Sequence, residues 1–347
     1  MTQAPRLLPE TKTGWAALAV GAIALALMPL FASPYHVELG TTALIAALLA
    51  LSLQLLVGVT GLVSLGHGAF YGLAAYIVYF LSPEGSPQPI WLTLPIAMLV
   101  AGLAAALVGL FALRTKGFFF LMVTLAFGQM IFFVFHDTKI GGGTDGAYLA
   151  KPIISAFGMT LDLPRRQRPI GTYYVALTQL IITYLALAWL LRTLFGRVLE
   201  GIRVNEHRMQ ALGHNTQRAK LIAFSLAGAL AGAAGHMWAM HRGFVNPEII
   251  GWHKSAEALL MILLGGLGAL HGPIIGALAY TGLTEVAGLM TERKLLVEGL
   301  VILLAVIVLP KGLSGIRLFS LAKPSGNPHD PLGDTDPSQR EVKIDND

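Results

Sequence analysis

Apolar runs of about 20 residues recur along this chain from Gly14 to Leu309, and that repetition constrains the fold more than any other feature. A bilayer core about 30 Å thick is crossed by roughly 20 helical residues rising about 1.5 Å each. Only 12% of the 347 residues are charged and 55% are hydrophobic, where soluble domains carry roughly 25% charge. The sequence therefore predicts an all-α, polytopic transmembrane helical bundle over residues 14–315. A short cytoplasmic segment, 1–13, precedes it, and a tail, 316–347, follows.

The runs fall at Gly14–Phe31, Leu39–Val57, Leu62–Leu81, Ile90–Leu113, Gly117–Phe135, Thr172–Leu191, Leu221–His241, Trp252–Ala269, Pro273–Met290 and Leu295–Leu309, about ten spans in all. The first fits either a signal peptide or a spanning helix; it exceeds an h-region of about 7 to 15 residues and further spans follow it, which favours the helix. The gaps at Gly58–Gly61 and Leu270–Gly272 read as loops or as breaks inside re-entrant segments.

Charge then sets the orientation. The net charge of +5 in a soluble protein would suggest nucleic acid; here it is explained by Lys and Arg retained in cytoplasmic loops. Residues 192–220 carry Arg192, Arg197, Arg203, Arg208, Arg218 and Lys220 against Glu200 and Glu206, which places that loop in the cytoplasm. Ten spans then put both termini there, with Arg114 and Lys116. The loop His136–Ile170 falls outside despite Lys139, Lys151, Arg165, Arg166 and Arg168, and it fits the rule poorly. The tail from Lys323 is too polar to offset its ordering entropy and reads as disordered. The absence of Cys excludes disulfides, thiolate nucleophiles and Cys-ligated metals. No Walker A sequence, H-E-x-x-H or triad arrangement occurs, so no catalytic site, cofactor or metal is expected.

Several stretches depart from what lipid-facing helices need. Gly58 to Phe70 holds four Gly with Thr60, Ser64 and His67. It reads either as helix packing or as a broken helix lining a pathway, whose free N–H groups suit a carboxylate. The pattern HGxxxGxxAY occurs at His67–Tyr76 and again at His271–Tyr280, a chance echo or a repeat running in one direction. Gly228, Gly232 and Gly235 recur at helical spacing and point to close helix contact. Gly141–Gly146 is a flexible turn, or a gate or receptor-docking element, with Gly143, Thr144, Asp145 and Gly146 as its candidate residues. Glu257, Glu285 and Glu298 lie in spans, where a charge costs about 2.5 to 3.5 kcal/mol; Lys254 beside Glu257 offers a local pair. Gly196–Gly213 reads as one amphipathic surface helix, lying on anionic lipid or docking a partner.

Taken together, GLVSLGHGAFYGLAAY at Gly61–Tyr76, GGTDG at Gly142–Gly146, IRVNEHRMQALGHN at Ile202–Asn215 and SAEALLMILLGGLGALHGPIIGA at Ser255–Ala277 resemble the M-type permease subunit of branched-chain amino-acid ABC importers. Leu309–Gly315 resembles that family's C-terminal boundary, so the likeness covers roughly Leu39–Gly315. The resemblance implies a permease in the bacterial inner membrane, paired with a second permease subunit. Two cytoplasmic ATP-binding subunits would power it, and a periplasmic binding protein would deliver leucine, isoleucine or valine. It further implies that Arg203, Glu206, Ala211, Leu212 and Gly213 form the ATPase coupling element, and that Ser64, Gly66, His67, Gly68, Ser255 and Glu257 lie near the translocation pathway. Ala147 stands where the family often has a larger apolar residue. Permeases for urea or short amides share the architecture, and an ion-coupled secondary transporter is the alternative from another class. That last reading calls for more intramembrane acid and base pairs than this chain supplies.

Overall fold

A computed structural model describes residues 12–151, 155–156, 159–160, 168–290, 299 and 312–315. The tenth expected span, with Glu298, lies outside them apart from Gly299, as do the segments 1–11 and 316–347. The described chain is helical almost throughout: α1 Lys12–Phe31, α2 Pro34–Gln54, α3 His67–Leu81, α4 Ile90–Ala112, α5 Phe118–Asp137, α6 Arg168–Arg192, α7 Leu194–Val204, α8 Glu206–Ala211, α9 Thr216–Arg242, α10 Trp252–Gly265 and α11 Gly272–Met290. Six helical stretches among the described residues are long and apolar enough to cross a membrane: Gly14–Phe31, Pro34–Thr60, Ile90–Ala112, Phe118–Asp137, Arg168–Arg192 and Thr216–Arg242. The protein is an all-α polytopic bundle.

The centre of the bundle is α2. Its sequence is apolar on every side, the mark of a helix surrounded by protein, and it is buried from Leu44 through Gln54 apart from Ala46. By contrast α1, equally apolar, presents most of its surface outward. The most extensive packing joins α4 to α9. The small residues of α9 explain it: a Cβ added at Gly228 would stand 2.3 Å from the Ala105 Cβ, and one at Gly232 only 2.6 Å from that of Ala101. Without a hydrophobic drive between helices in lipid, such close approach supplies the attraction.

Three expected boundaries are corrected. The run Leu62–Leu81 is not one helix; α3 starts only at His67 and, at 15 residues, reaches about 22 Å. The run Trp252–Ala269 likewise contains a helix of 14 residues, about 21 Å long. The surface helix at Gly196–Gly213 is two helices, divided at Asn205. That residue ends α7 and caps α8, its side-chain oxygen accepting from the Arg208 N–H at 2.9 Å.

The two ends of the bundle are distinct. At one, α7 and α8 lie across the ends of α2 and α9, with Lys116 near enough to act on Glu206. At the other, Ala147–Tyr148 pair antiparallel with Phe244–Val245, and the Ala150 N–H donates to the Ser82 carbonyl at 3.1 Å. Lys151 donates to the His241 carbonyl at 2.8 Å, closing the C-terminus of α9 where the helix dipole favours a cation. One cation of the positive loop 136–170 is thereby accounted for, while Arg165 and Arg166 lie outside the described residues. Both copies of HGxxxGxxAY start a helix after a break, and α3 and α11 run in the same sense, toward the Lys151 end.

Candidate functional site

The site is a joint built from two broken helices and the helix that holds them. Beyond Gln54, α2 widens into a π-helical turn over Leu55–Thr60, closed by Gly61 at φ 73°. The chain then crosses residues 61–66 without helix. Buried N–H groups need partners, and here side chains supply them: Leu65 N donates to Thr124 Oγ1 and Gly66 N to Ser64 Oγ, both at 3.3 Å. Gly66 is fixed by contact, since a Cβ there would lie 2.3 Å from the Thr124 carbonyl oxygen.

Polar groups on α2 hold both breaks. Ser52 Oγ and His67 Nε2 are hydrogen-bonded at 2.8 Å, and Gln54 Nε2 donates to the carbonyls of Leu267 and Ala269 at 3.1 and 3.4 Å, in the break before α11. The Gly68 N–H donates to Ser255 Oγ at 2.7 Å and so ties the start of α3 to α10. Ser64, His67 and Ser255 are fully buried, and Gly66 and Gly68 are buried with them. Five of the six residues expected near a pathway are thus brought together as packing at the joint. Glu257 alone keeps an accessible side chain, paired with Lys254 at 2.8 Å. Ser52 and Gln54 were missed in the sequence; the available signal was that they are the two polar side chains in the apolar stretch Ala43–Val59.

The expected coupling residues divide into two groups. Arg203, on α7, stays largely exposed but donates along the bundle's edge to the Gly58 carbonyl, and its Cγ lies 3.3 Å from where a Cβ on Gly61 would sit. Glu206 pairs with Lys220 of α9 at 2.6 Å and accepts from Thr216 Oγ1 at 3.2 Å. Ala211, Leu212 and Gly213 are exposed, and Leu212 and Val204 present 65% and 71% of their surface, an apolar ridge beside the basic residues. The turn Gly141–Gly146 packs on α3, with Gly141 against the Tyr76 ring and Gly146 against the Val245 carbonyl, while Thr144 and Asp145 are exposed.

Partial burial pushes the Glu206 carboxyl upward, but the hydrogen bond and charge of Lys220, with Thr216, outweigh it and hold it below 4.5. A depressed carboxylate stabilises the fold above its unfolded pKa and loses that contribution as pH falls through the folded value. The α8–α9 contact is therefore expected to hold from neutral pH to 4.5 and to loosen only below it. Glu206→Gln is expected to loosen it at every pH. Hydrogen exchange of α8 amides against pH checks both, and protection indifferent to pH in the native chain would contradict the assignment.

Residues 35–308 match the family model described as branched-chain amino acid transport system / permease component. This chain belongs to that family. The permease is 32% identical over 305 residues to the high-affinity branched-chain amino acid transport system permease protein LivM of Escherichia coli K12, covering 82% of this chain and 71% of the relative. It is 25% identical to LivH of Salmonella typhimurium over 80% of this chain and 93% of that one, and 26% identical to the ribose import permease protein RbsC of Haemophilus influenzae over 75% and 80%. No solved structure matches. The helical bundle and these relatives make it a multi-pass membrane permease component.

Proposed function

We propose that this permease forms the translocation pathway of a bacterial inner-membrane ABC importer for leucine, isoleucine and valine. The chain is the non-catalytic subunit. A second permease subunit pairs with it, two ATPase subunits bind the exposed ridge of α7–α8 on the cytoplasmic side, and a periplasmic binding protein docks at the opposite end, where Thr144 and Asp145 are exposed. Both termini lie in the cytoplasm.

The observation that carries this reading is the Arg203–Gly58 bond. A helix lying outside the bundle is tied by a charged side chain to the point where the most deeply buried helix breaks. A push on α7 therefore reaches residues 58–66 directly; Ser52, His67 and Ser255 carry it to the starts of α3 and α10, and Gln54 carries it to the break before α11. Alternating access follows when ATP-driven closure of the ATPases moves α7 and α8 and the two breaks pivot together.

The test is isolation of the tagged chain with its bound subunits, followed by reconstitution with the binding protein and labelled leucine, ribose or urea. ATP-dependent leucine uptake is the expected result. Uptake without nucleotide would replace the reading with a secondary transporter, and a preference for ribose or urea would change the cargo.

A further inference from the structure

The 244–251 segment plunges from the Lys151 end into the bundle, so α10 begins at depth. Ile250 packs on Gly72, and the Lys254 Cβ lies 3.0 Å from where a Cβ on Gly68 would stand. Gly68 is thirteen residues before Leu81, the end of α3, about 20 Å along that helix, well inside a bilayer core of about 30 Å. Yet this is where the first turn of α10 exposes Trp252 and His253, and where the side chains of Lys254 and Glu257 remain 27% and 33% accessible. Charged groups at such depth face water or protein, not lipid. The ion pair is bordered by aromatic rings and one further cation: Lys254 Nζ lies 5.7 Å and the Arg242 guanidinium 5.0 Å from the Trp238 ring centroid, and the Tyr71 ring is 6.3 Å from that of Trp238.

We propose that the Lys254–Glu257 pair is a zwitterion-exchange site inside the permease. The ammonium of Lys254 takes the carboxylate of a passing amino acid, and the carboxylate of Glu257 takes its ammonium. The pair opens to admit the solute and closes behind it, so neither charge is left unpaired at depth; the Trp238 ring steadies Lys254 while it is parted from Glu257. Loose binding suits a conduit, since the solute must leave again. This deepens the proposed function and rests on it.

The chain has no Cys, so single cysteines report accessibility directly. The assembled importer carrying His253→Cys or Glu257→Cys is expected to react with a membrane-impermeant thiol reagent in at least one nucleotide state, while Leu103→Cys stays unreactive. In proteoliposomes, Glu257→Gln and Lys254→Met are each expected to slow leucine uptake about tenfold and to raise ATP consumed per leucine, with thermal stability and subunit content of the complex preserved. A thiol unreactive in every state would make the pair a buried contact with the second subunit and overturn the proposal. Uptake at the native rate in both variants would overturn it too, as would loss of the assembled complex together with uptake, the mark of a structural pair. If the native complex itself carries an uncharged solute and not leucine, it is the proposed function that fails.

Discussion

Replacing Arg203 by Ala is expected to lower uptake at least tenfold while the ATPase subunits still co-purify with the permease. The guanidinium is spent inward on the Gly58 carbonyl, so the variant loses the tie between α7 and the break, not the surface that α7 and α8 present. A hydrogen bond from a charged donor contributes about 1.5 to 3 kcal/mol, and each 1.4 kcal/mol is a factor of ten in the equilibrium between joined and parted helices. The Gly58 carbonyl belongs to a π-helical turn next to a left-handed Gly61, so nothing in the helix itself replaces the lost donor. ATP hydrolysis should therefore continue with little solute moved. Arg203→Lys keeps a charge on a shorter stem and should recover part of the coupling, since it lacks the planar fork. The ratio of ATP consumed to leucine taken up is the deciding measurement. Loss of the ATPases from the purified complex would instead make Arg203 a gripping residue, and unchanged uptake would remove the tie from the mechanism.

The sequence laid out the helices well because their signal is local. Lengths of apolar runs place α1, α4, α5, α6 and α9 within a few residues, since a chain in lipid must satisfy its backbone within each segment. The breaks were legible only as an excess of Gly and polar residues. Whether Gly58–Gly61 becomes a loop or a widened turn depends on Thr124, Ser255 and Arg203, which come from elements 59 to 187 positions away from the groups they bond, and no local pattern contains that. The division of the residues expected to couple had the same cause. Arg203 and Glu206 look alike as exposed charges on one amphipathic stretch, yet Asn205 ends the first helix between them, sending Arg203 toward α2 and Glu206 toward Lys220. Glu257 was legible because Lys254 stands three positions away on the same helix, a spacing that brings side chains together.

Two glycines of α11 offer a contrast that separates packing from helix propensity, and the expected effects are of opposite sign. Gly276 faces α10 at the crossing of the hairpin. A Cβ there would stand 1.8 Å from the Met261 carbonyl oxygen and 2.8 Å from the Gly265 nitrogen, and both obstacles are backbone, so no rotamer change relieves them. Overpacking a core usually costs about 1 to 3 kcal/mol, and more when the neighbour cannot move aside. Gly276→Val should therefore part α10 from α11, free the Leu267 and Ala269 carbonyls from Gln54 and undo the second break. Most of the properly folded permease is expected to disappear from detergent-purified material. Gly282, on the same helix, meets nothing within 4 Å among the described residues, and Gly282→Ala should raise stability by up to about 1 kcal/mol through helix propensity alone. Size-exclusion profiles and thermal melts of the two variants in parallel check the pair. A stable, monodisperse Gly276→Val variant would mean that the α10–α11 hairpin packs differently, and it would remove the Gln54 bridge on which the second half of the joint depends.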